Sequence, residues 1–286
     1  MKTTREQGRG RMLAALPMSI WAVLFVALAL LYIIGLSFLS RGEGFDAQLP
    51  ITFDNYLRMA APTYLKSLLL SLRLAFLTAL CCALLGYPLA YFIAKTSPRV
   101  RTWLLILIIA PFWTNALIRI YGWKTLFVAN GPLNTALLSL GIIEKPLRLL
   151  YTEKAVLVGM VYAMIPFFVL PVYSGIERLD GSIVEASRDL GAGPVRAFFT
   201  VTLPMTMPSV LAALVLTFIP SIGLFFISDL LGGSNTMLWG NVIQNELLKS
   251  RDLPFASALS VVLLTLTGIV LAVYRKLGGD AESMVF

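Results

Sequence analysis

The segment that decides the fold lies at residues 177–196, between two long uncharged stretches, and reads ERLDGSIVEASRDLGAGPVR. Ser182 and Glu185 have the spacing of a capping box, so we expect a short helix to begin at Ser182. Gly191 suits the position just past its C-terminus, and Pro194 suits the first turn of the next helix. One face of the first helix would carry small and apolar residues, namely Ile183, Ala186, Ser187 and Leu190.

The chain on both sides of this segment is too apolar for a water-soluble domain. Hydrophobic residues make up 58% of its 286 residues and charged residues 13%, whereas soluble domains have roughly 45–50% and about 25%. This composition excludes a soluble globular enzyme and a disordered chain. A membrane-spanning helix needs about 20 mainly apolar residues. The sequence therefore predicts an all-α, polytopic membrane protein with six spans, at residues 12–40, 74–94, 102–128, 155–176, 197–228 and 253–274.

Two further uncharged stretches, Thr125–Ile143 and Leu230–Asn245, contain helix-breaking glycine and asparagine residues. A broken helix leaves backbone groups that lipid cannot satisfy, so we interpret both stretches as outer-side or re-entrant segments. Six spans is the favoured number, and seven stays open. No linker or low-complexity tract divides the chain, so we expect a single transmembrane domain over residues 1–286.

The basic residues predict the orientation. The apolar run after the basic N-terminus is too long for a signal peptide, which favours a retained signal anchor. If both termini lie in the cytoplasm, the inner segments carry roughly twice the density of Lys and Arg of the outer ones, as the positive-inside rule requires. The sequence therefore predicts a multi-pass membrane protein with both termini and the segment 177–196 on the inner side. This bias also explains the net charge of +8, so no nucleic-acid partner is needed.

Several kinds of site are absent from the sequence. It has no histidine, and its two cysteines, Cys81 and Cys82, are adjacent in an apolar run. The chain therefore cannot build a His-ligated metal site, a zinc site on its cysteines, a Ser-His-Asp triad or a disulfide framework. No Walker A sequence is present, so the chain does not itself bind a nucleoside triphosphate. We expect a non-enzymatic protein without catalytic residues, metal or cofactor, whose energy comes from a gradient or from a partner.

The segment 177–196 resembles the EAA loop of ABC-transporter permeases. The family pattern of Glu-Ala-Ala, Gly, Ile and Leu-Pro is matched in every spacing, with Ser187 replacing an alanine and Val201 replacing the isoleucine. In the family this short helix docks on an ATPase subunit. The resemblance thus implies that six residues couple the chain to an ATPase, namely Glu185, Ala186, Ser187, Asp189, Gly191 and Ala192. The alternative is a plain interfacial turn in which Glu185 only caps the helix.

The resemblance extends to five other stretches, namely Asp54–Tyr56, Gly86–Pro88, Pro111–Trp123, Ile227–Gly233 and Gly240–Gln244. Together they look like the PotB/PotH type of permease from bacterial spermidine/putrescine ABC importers. This resemblance implies the type I importer permease fold and transport of polyamines. It also implies a second, PotC-like permease, two PotA-like ATPase subunits that bind ATP and Mg, and a periplasmic, PotD-like substrate-binding protein.

A polyamine path needs carboxylates or carbonyls for the ammonium groups and aromatic faces for cation–π contacts. The residues that fit are Tyr56, Trp113, Asn115, Tyr121, Trp123 and Asp229. Four of them have an ordinary alternative: Tyr121 and Trp123 suit an interfacial aromatic belt, Trp113 suits helix packing, and Asp229 suits an exposed loop. We expect Arg119 to pair with Asp229 or a carbonyl, because a cation in the path would repel the substrate.

Three other functions stay open at this point. A permease of the same architecture could carry another solute, such as an amino acid, thiamine or iron; an anion carrier would need more basic residues inside its spans. A polytopic membrane enzyme would need ionisable groups clustered at one depth, and only Arg119 and Asp229 come close. A stand-alone channel or carrier would not need the spacing of the segment 177–196.

Overall fold

The computed structural model describes residues 16–42 and 44–276, most of which are helical. In chain order the helices are α1 (Leu16–Ser37), α2 (Asp54–Arg58), α3 (Pro62–Lys95), α4 (Pro98–Ile109), α5 (Ala116–Phe127), α6 (Pro132–Ser139), α7 (Glu153–Glu177), α8 (Gly181–Asp189), α9 (Pro194–Gly223), α10 (Phe225–Ile227), α11 (Trp239–Leu248) and α12 (Leu253–Lys276). Two short strands, β1 (Leu39–Arg41) and β2 (Ala47–Ile51), pair as an antiparallel hairpin.

The expectation of an all-α fold with up to six candidate spans is confirmed. Five helices, α1, α3, α7, α9 and α12, are long and apolar enough to cross a membrane. The sixth candidate is a bent pair, Pro98–Trp113 and Ala116–Ser139. Helices α7 and α12 lie within two residues of their predicted ends, because a charged or capping residue stands close to each end of those apolar runs.

Other predicted ends were wrong. Helix α3 begins at Pro62 and not at residue 74, because Lys66 and Arg73 end an apolar run without breaking a helix. Its 34 residues extend to about 51 Å at 1.5 Å per residue, well beyond a hydrocarbon core of about 30 Å. Helix α1 ends at Ser37, where β1 follows, and α9 ends at Gly223 and not at residue 228. The predicted start of the first span, residues 12–15, lies outside the described residues.

The predicted continuous third span over 102–128 was also wrong. Helix α4 passes into a 3-10 turn at Ala110–Trp113, the backbone is extended at Thr114, and α5 starts afresh at Ala116. The two helical parts are bent by 97°. Pro111 lacks a backbone N–H and cannot continue the α-helical hydrogen-bond ladder, which is consistent with a break at this place.

The two doubtful stretches contain short helices and turns. The first contains α6, and the second contains a π-helical turn at Ser228–Gly232, a 3-10 turn at Gly233–Asn235 and the start of α11. Neither is itself a long apolar helix. Gly131 and Gly141 flank α6, and Gly233 has a φ of +57° in the turn before α11, so these three glycines lie at helix ends. Asn134, by contrast, lies within α6.

The chain forms two compact units, one of residues up to 61 with 243–265, the other of 62–242 with 266 onward. In the first unit the Asn55 side chain donates hydrogen bonds to the carbonyls of Ser37 and Leu39, at 3.0 and 2.9 Å. Arg58 pairs at 2.6 Å with Asp252, whose other oxygen accepts from the first turn of α12. These polar contacts connect the β-hairpin and α2 to the start of α12.

The second unit is built on α3, α7 and α9, which pack against one another. Gly86 permits this packing, because a Cβ there would stand 2.7 Å from the Phe168 ring. Tyr87 and Thr206 share a buried hydrogen bond of 3.0 Å between α3 and α9. A second cluster of buried residues joins α3, α5, α7 and the turn after α10; its members include Leu74, Ile120, Phe127, Val156, Ile227 and Leu231.

Candidate functional site

The segment 177–196 forms the expected helix, turn and helix, but its N-terminal cap differs from the prediction. The carboxylate of Asp180 accepts a 2.9 Å hydrogen bond from the Ser182 N–H and caps α8. The predicted capping box of Ser182 and Glu185 was therefore wrong, because an aspartate two residues earlier supplies the acceptor. This hydrogen bond favours the charged carboxylate and lowers the pKa of Asp180 below its ordinary value.

The C-terminal end of α8 confirms the predicted turn. Gly191 has a φ of +86°, a region that favours glycine. Its N–H donates to the Arg188 carbonyl at 2.8 Å, and the Ala192 N–H donates to the Ser187 carbonyl at 3.0 Å. These two bonds make a Schellman motif, which closes the helix with its own backbone. Pro194 then opens α9 as expected.

The backbone of the segment 177–196 forms its own hydrogen bonds at the turn, whereas the predicted coupling residues are exposed or partly exposed. Of the six predicted coupling residues, Glu185, Ala186, Asp189 and Gly191 are exposed, and Ser187 and Ala192 are partly exposed. The apolar Leu190 at the end of α8 is 89% exposed. A short capped helix with exposed small and apolar side chains can dock on another protein without first having to fold.

The break in the third span positions several of the predicted path residues. Asn115 caps α5, because its side-chain oxygen accepts a 2.8 Å hydrogen bond from the Leu117 N–H. Trp113, in the turn before it, is 78% exposed. Tyr121 is also exposed, and Lys124 lies 5.7 Å from its ring centroid. The bend thus places two aromatic side chains on the surface of the second unit.

Two other predicted path residues are packed. Trp123 lies against the rings of Phe127 and Tyr162, at centroid distances of 5.3 and 5.5 Å. Tyr56 lies in the first unit, where its hydroxyl and that of Ser37 are 2.8 Å apart. Both side chains have protein partners that account for their positions, in contrast to Trp113.

Asp229 is exposed and is oriented by a neighbour that the sequence did not single out. Its Oδ1 accepts a 2.6 Å hydrogen bond from the Asn241 side chain, which also donates to the Phe225 carbonyl at 3.0 Å. Asn241 therefore connects α11 to the turn after α10. The only signal in the sequence was its place in the Gly240–Gln244 motif, which gave no pairing partner.

Arg119 does not pair with Asp229, so that expectation was wrong. Its guanidinium lies over the Phe112 ring, 4.4 Å from the centroid, and 5.9 Å from the centroid of Tyr162. Among the described residues, no carboxylate pairs with Arg119, and its buried Nε and Nη1 atoms have no hydrogen-bond partner. Sequence spacing could not reveal this arrangement, since Tyr162 comes from another helix.

The second unit can therefore offer ring faces, an amide and one oriented carboxylate to a cationic solute. Within the described ranges, no cluster of three or more His, Cys, Asp or Glu residues is placed to hold a metal ion.

Comparisons with known proteins show which sequences the chain is similar to. Residues 86–278 match the family model described as the binding-protein-dependent transport system inner membrane component. The spermidine/putrescine transport system permease protein PotB of Escherichia coli is 47% identical over 256 residues, covering 90% of this chain and 93% of that protein. PotB of Haemophilus influenzae is 45% identical and covers 90% of each chain.

Solved structures show the same fold. A chain of a bacterial ABC transporter that imports the acidic polysaccharide alginate superposes with a TM-score of 0.75 at 19% identity, covering 96% of this chain and 99% of that one. A chain of the MetNI methionine ABC transporter superposes with a TM-score of 0.58 at 16% identity, covering 77% and 97%.

Proposed function

The chain belongs to the family of binding-protein-dependent transport inner membrane components, and we propose that its solute is a polyamine. It is a multi-pass inner-membrane subunit with the type I ABC importer permease fold. The observation that carries the polyamine assignment is the 47% identity to a spermidine/putrescine permease over 90% of the chain.

The chain would work as one permease domain and form half of the path, with a second, PotC-like permease forming the other half. Two PotA-like subunits would bind ATP and Mg, and a periplasmic, PotD-like protein would deliver the solute. Both termini would lie in the cytoplasm together with the segment 177–196. This chain would hold no catalytic residue, since hydrolysis takes place on the partner subunits.

The exposed face of α8 supports the coupling role. The Schellman turn holds α8 at the start of α9. A force applied to Leu190 and Ala186 is therefore transmitted to the membrane helix α9 as a rigid-body movement. ATP binding would draw the ATPase subunits together and turn the permease pair outward, and hydrolysis would return it inward. ATP supplies the differential affinity for the two states that such a cycle requires.

The path chemistry fits a flexible di- or tricationic chain. Asp229 is exposed and held by Asn241, which leaves its second oxygen open to an ammonium group. The exposed faces of Trp113 and Tyr121 offer cation–π contacts worth about 0.5–2 kcal/mol each. Several contacts of this size bind a polyamine at several points without trapping it.

The polyamine assignment is tested by uptake of radiolabelled spermidine and putrescine in cells that lack other polyamine importers. The cells express this chain with its neighbouring operon genes, and unlabelled amino acids, thiamine and iron compete. We expect saturable uptake that Trp113→Ala and Asp229→Asn weaken. The matched control for Trp113→Ala is Trp103→Ala, because Trp103 on α4 is also exposed, at 66%. The control for Asp229→Asn is Glu144→Gln, which changes an exposed loop carboxylate.

Absence of polyamine uptake by a complex that still contains the ATPase would overturn the substrate assignment and leave the transporter class intact. The coupling role has its own test, which is co-purification of the ATPase with Leu190→Asp. Leu140→Asp is the control, because Leu140 is 71% exposed outside the segment 177–196. Equal ATPase yields from the two variants would contradict docking on α8.

A further inference from the structure

The aromatic rings around Arg119 form a continuous row in the second unit. Phe167 and Phe112 meet edge to face with centroids 5.5 Å apart, and Trp123 meets Tyr162 in the same manner at 5.5 Å. The Arg119 guanidinium occupies the gap between the two pairs, 4.4 Å from the Phe112 centroid and 5.9 Å from the Tyr162 centroid. Phe112 and Tyr162 thus form a slot that holds a cation.

The contacts of the Arg119 guanidinium allow another cation to replace it on the two rings. A guanidinium is always charged and is normally paired with a carboxylate or a carbonyl when it leaves water. Within the described ranges, Arg119 has no ion pair, and its buried Nε and Nη1 atoms donate to nothing. Its contacts among the described residues are with the faces of Phe112 and Tyr162. Moving it into water would therefore restore its missing hydrogen bonds at the cost of the cation–π contacts.

The slot also lies beside the residues expected to contact the solute. Trp113, 78% exposed, follows Phe112 directly in the chain, and Asn115 lies between the slot residues Phe112 and Arg119. The side chain of Arg119 is itself only half-buried. A small displacement of its long, flexible side chain would open the ring faces to a cation from outside.

We propose that Phe112 and Tyr162 form an ammonium-binding site of the transport path and that the Arg119 guanidinium occupies it as a tethered substitute when no substrate is present. This proposal rests on the proposed function, because the ammonium group is that of the polyamine. Arg119 then competes with the substrate, which lowers the affinity of the path and helps the substrate to leave. On the sequence alone, the positive charge of Arg119 argued against a place in the substrate path. In this proposal, the same charge has a role in transport.

The test is equilibrium binding of radiolabelled spermidine to the purified, nucleotide-free transporter, together with the uptake assay. Arg119→Met keeps an unbranched apolar stem but removes the guanidinium and its charge. We expect spermidine to bind between about twofold and thirtyfold more tightly, the range of one cation–π contact. Adding Phe112→Leu should abolish the gain.

Two controls separate the slot from other effects. Lys145→Met removes the same charge from an exposed loop of the second unit, so an equal gain in spermidine affinity there would point to a general effect of net charge instead of the slot. Phe167→Leu breaks the same ring pair as Phe112→Leu but leaves the ring under Arg119. Added to Arg119→Met, it should preserve the tighter binding.

The outcomes distinguish this proposal from the substrate assignment. Polyamine uptake by the parent transporter with unchanged binding by Arg119→Met would overturn the slot and keep the proposed function. Tighter binding that depends on Phe112, without uptake by the parent transporter, would support ammonium binding at the slot but overturn both its place in a transport path and the proposed function. Loss of binding by Arg119→Met at normal transporter yield would also overturn the slot.

Discussion

The turn after α8 and the break between α4 and α5 both interrupt helices of the second unit, but by different means. At the first, Asp180, Gly191 and Pro194 close the helix ends with hydrogen bonds and backbone angles of their own. At the second, Asn115 supplies one cap, and α5 is held by packing of Ile120 and Phe127 in a core shared with other helices. The segment that we propose to contact the ATPase is built locally, whereas the segment that we propose to line the path depends on distant residues.

The largest expected effect breaks the local turn. Gly191→Val forces a β-branched residue to a φ of +86°, which costs about 1–2 kcal/mol and favours other conformations of the turn. We expect polyamine uptake to fall about tenfold or more, with a normal amount of permease in the membrane because the position is exposed. Gly193→Val is the control, since its φ is −62° and no atom is within 4 Å of a Cβ there. Equal uptake by Gly191→Val and Gly193→Val would show that the turn at Gly191 does not couple the permease to the ATPase.

The second effect concerns the packed region. A Cβ at Gly159 would stand 2.6 Å from Leu231 Cδ1 and 2.9 Å from Ile227 Cγ2, and both side chains are fully buried. Gly159→Ala should therefore destabilise the permease by about 1–3 kcal/mol, seen as a lower unfolding temperature of the purified transporter. Gly122→Ala on α5 meets nothing within 4 Å and should stabilise its helix by about 0.5–1 kcal/mol. Equal changes in unfolding temperature for Gly159→Ala and Gly122→Ala would show that the packing around Gly159 is not the cause.

The same contrast explains what the sequence could predict. The capping and turn residues of the segment 177–196 are neighbours in the chain, so its helix and turn could be predicted. Even there, the spacing of Ser182 and Glu185 concealed Asp180, because two acceptors compete for one helix end. The apolar runs predicted the number of spans, but charge alone placed the start of α3 twelve residues too late.

The candidate path was harder to predict, because its contacts join residues far apart in the chain. Asn241 orients Asp229 from the next helix, and Tyr162 faces Arg119 across two helices. Composition indicated which residue types suit a polyamine, but it could not separate the exposed Trp113 from the packed Trp123. That separation depends on the bend, which arises where Pro111 and Asn115 end one helix and begin another.

A third and smaller effect tests whether the bend is held by its cap. Asn115→Ala removes the acceptor of the Leu117 N–H and should destabilise α5 by about 1 kcal/mol. Asn115→Ser keeps a capping oxygen and should restore most of the unfolding temperature and the uptake. If Ser restores the stability but not the uptake, the amide of Asn115 contacts the substrate, and capping is only part of its role.

The smallest effect concerns the cap of α8 and depends on pH. The pKa of Asp180 is lowered in the folded state, so its capping contribution is complete above the ordinary aspartate pKa of 3.8 and is lost as the pH falls below it through the folded value. At neutral pH, Asp180→Ala should speed hydrogen exchange at the Ser182 amide. It should also lower polyamine uptake, but by a factor several-fold smaller than that of Gly191→Val. Asp180→Asn keeps an acceptor at every pH and should exchange slowly throughout. Fast exchange in Asp180→Asn at neutral pH would mean that the charge, acting on the helix dipole, matters more than the hydrogen bond. Even this locally built end of α8 would then depend on electrostatics that residue spacing does not reveal.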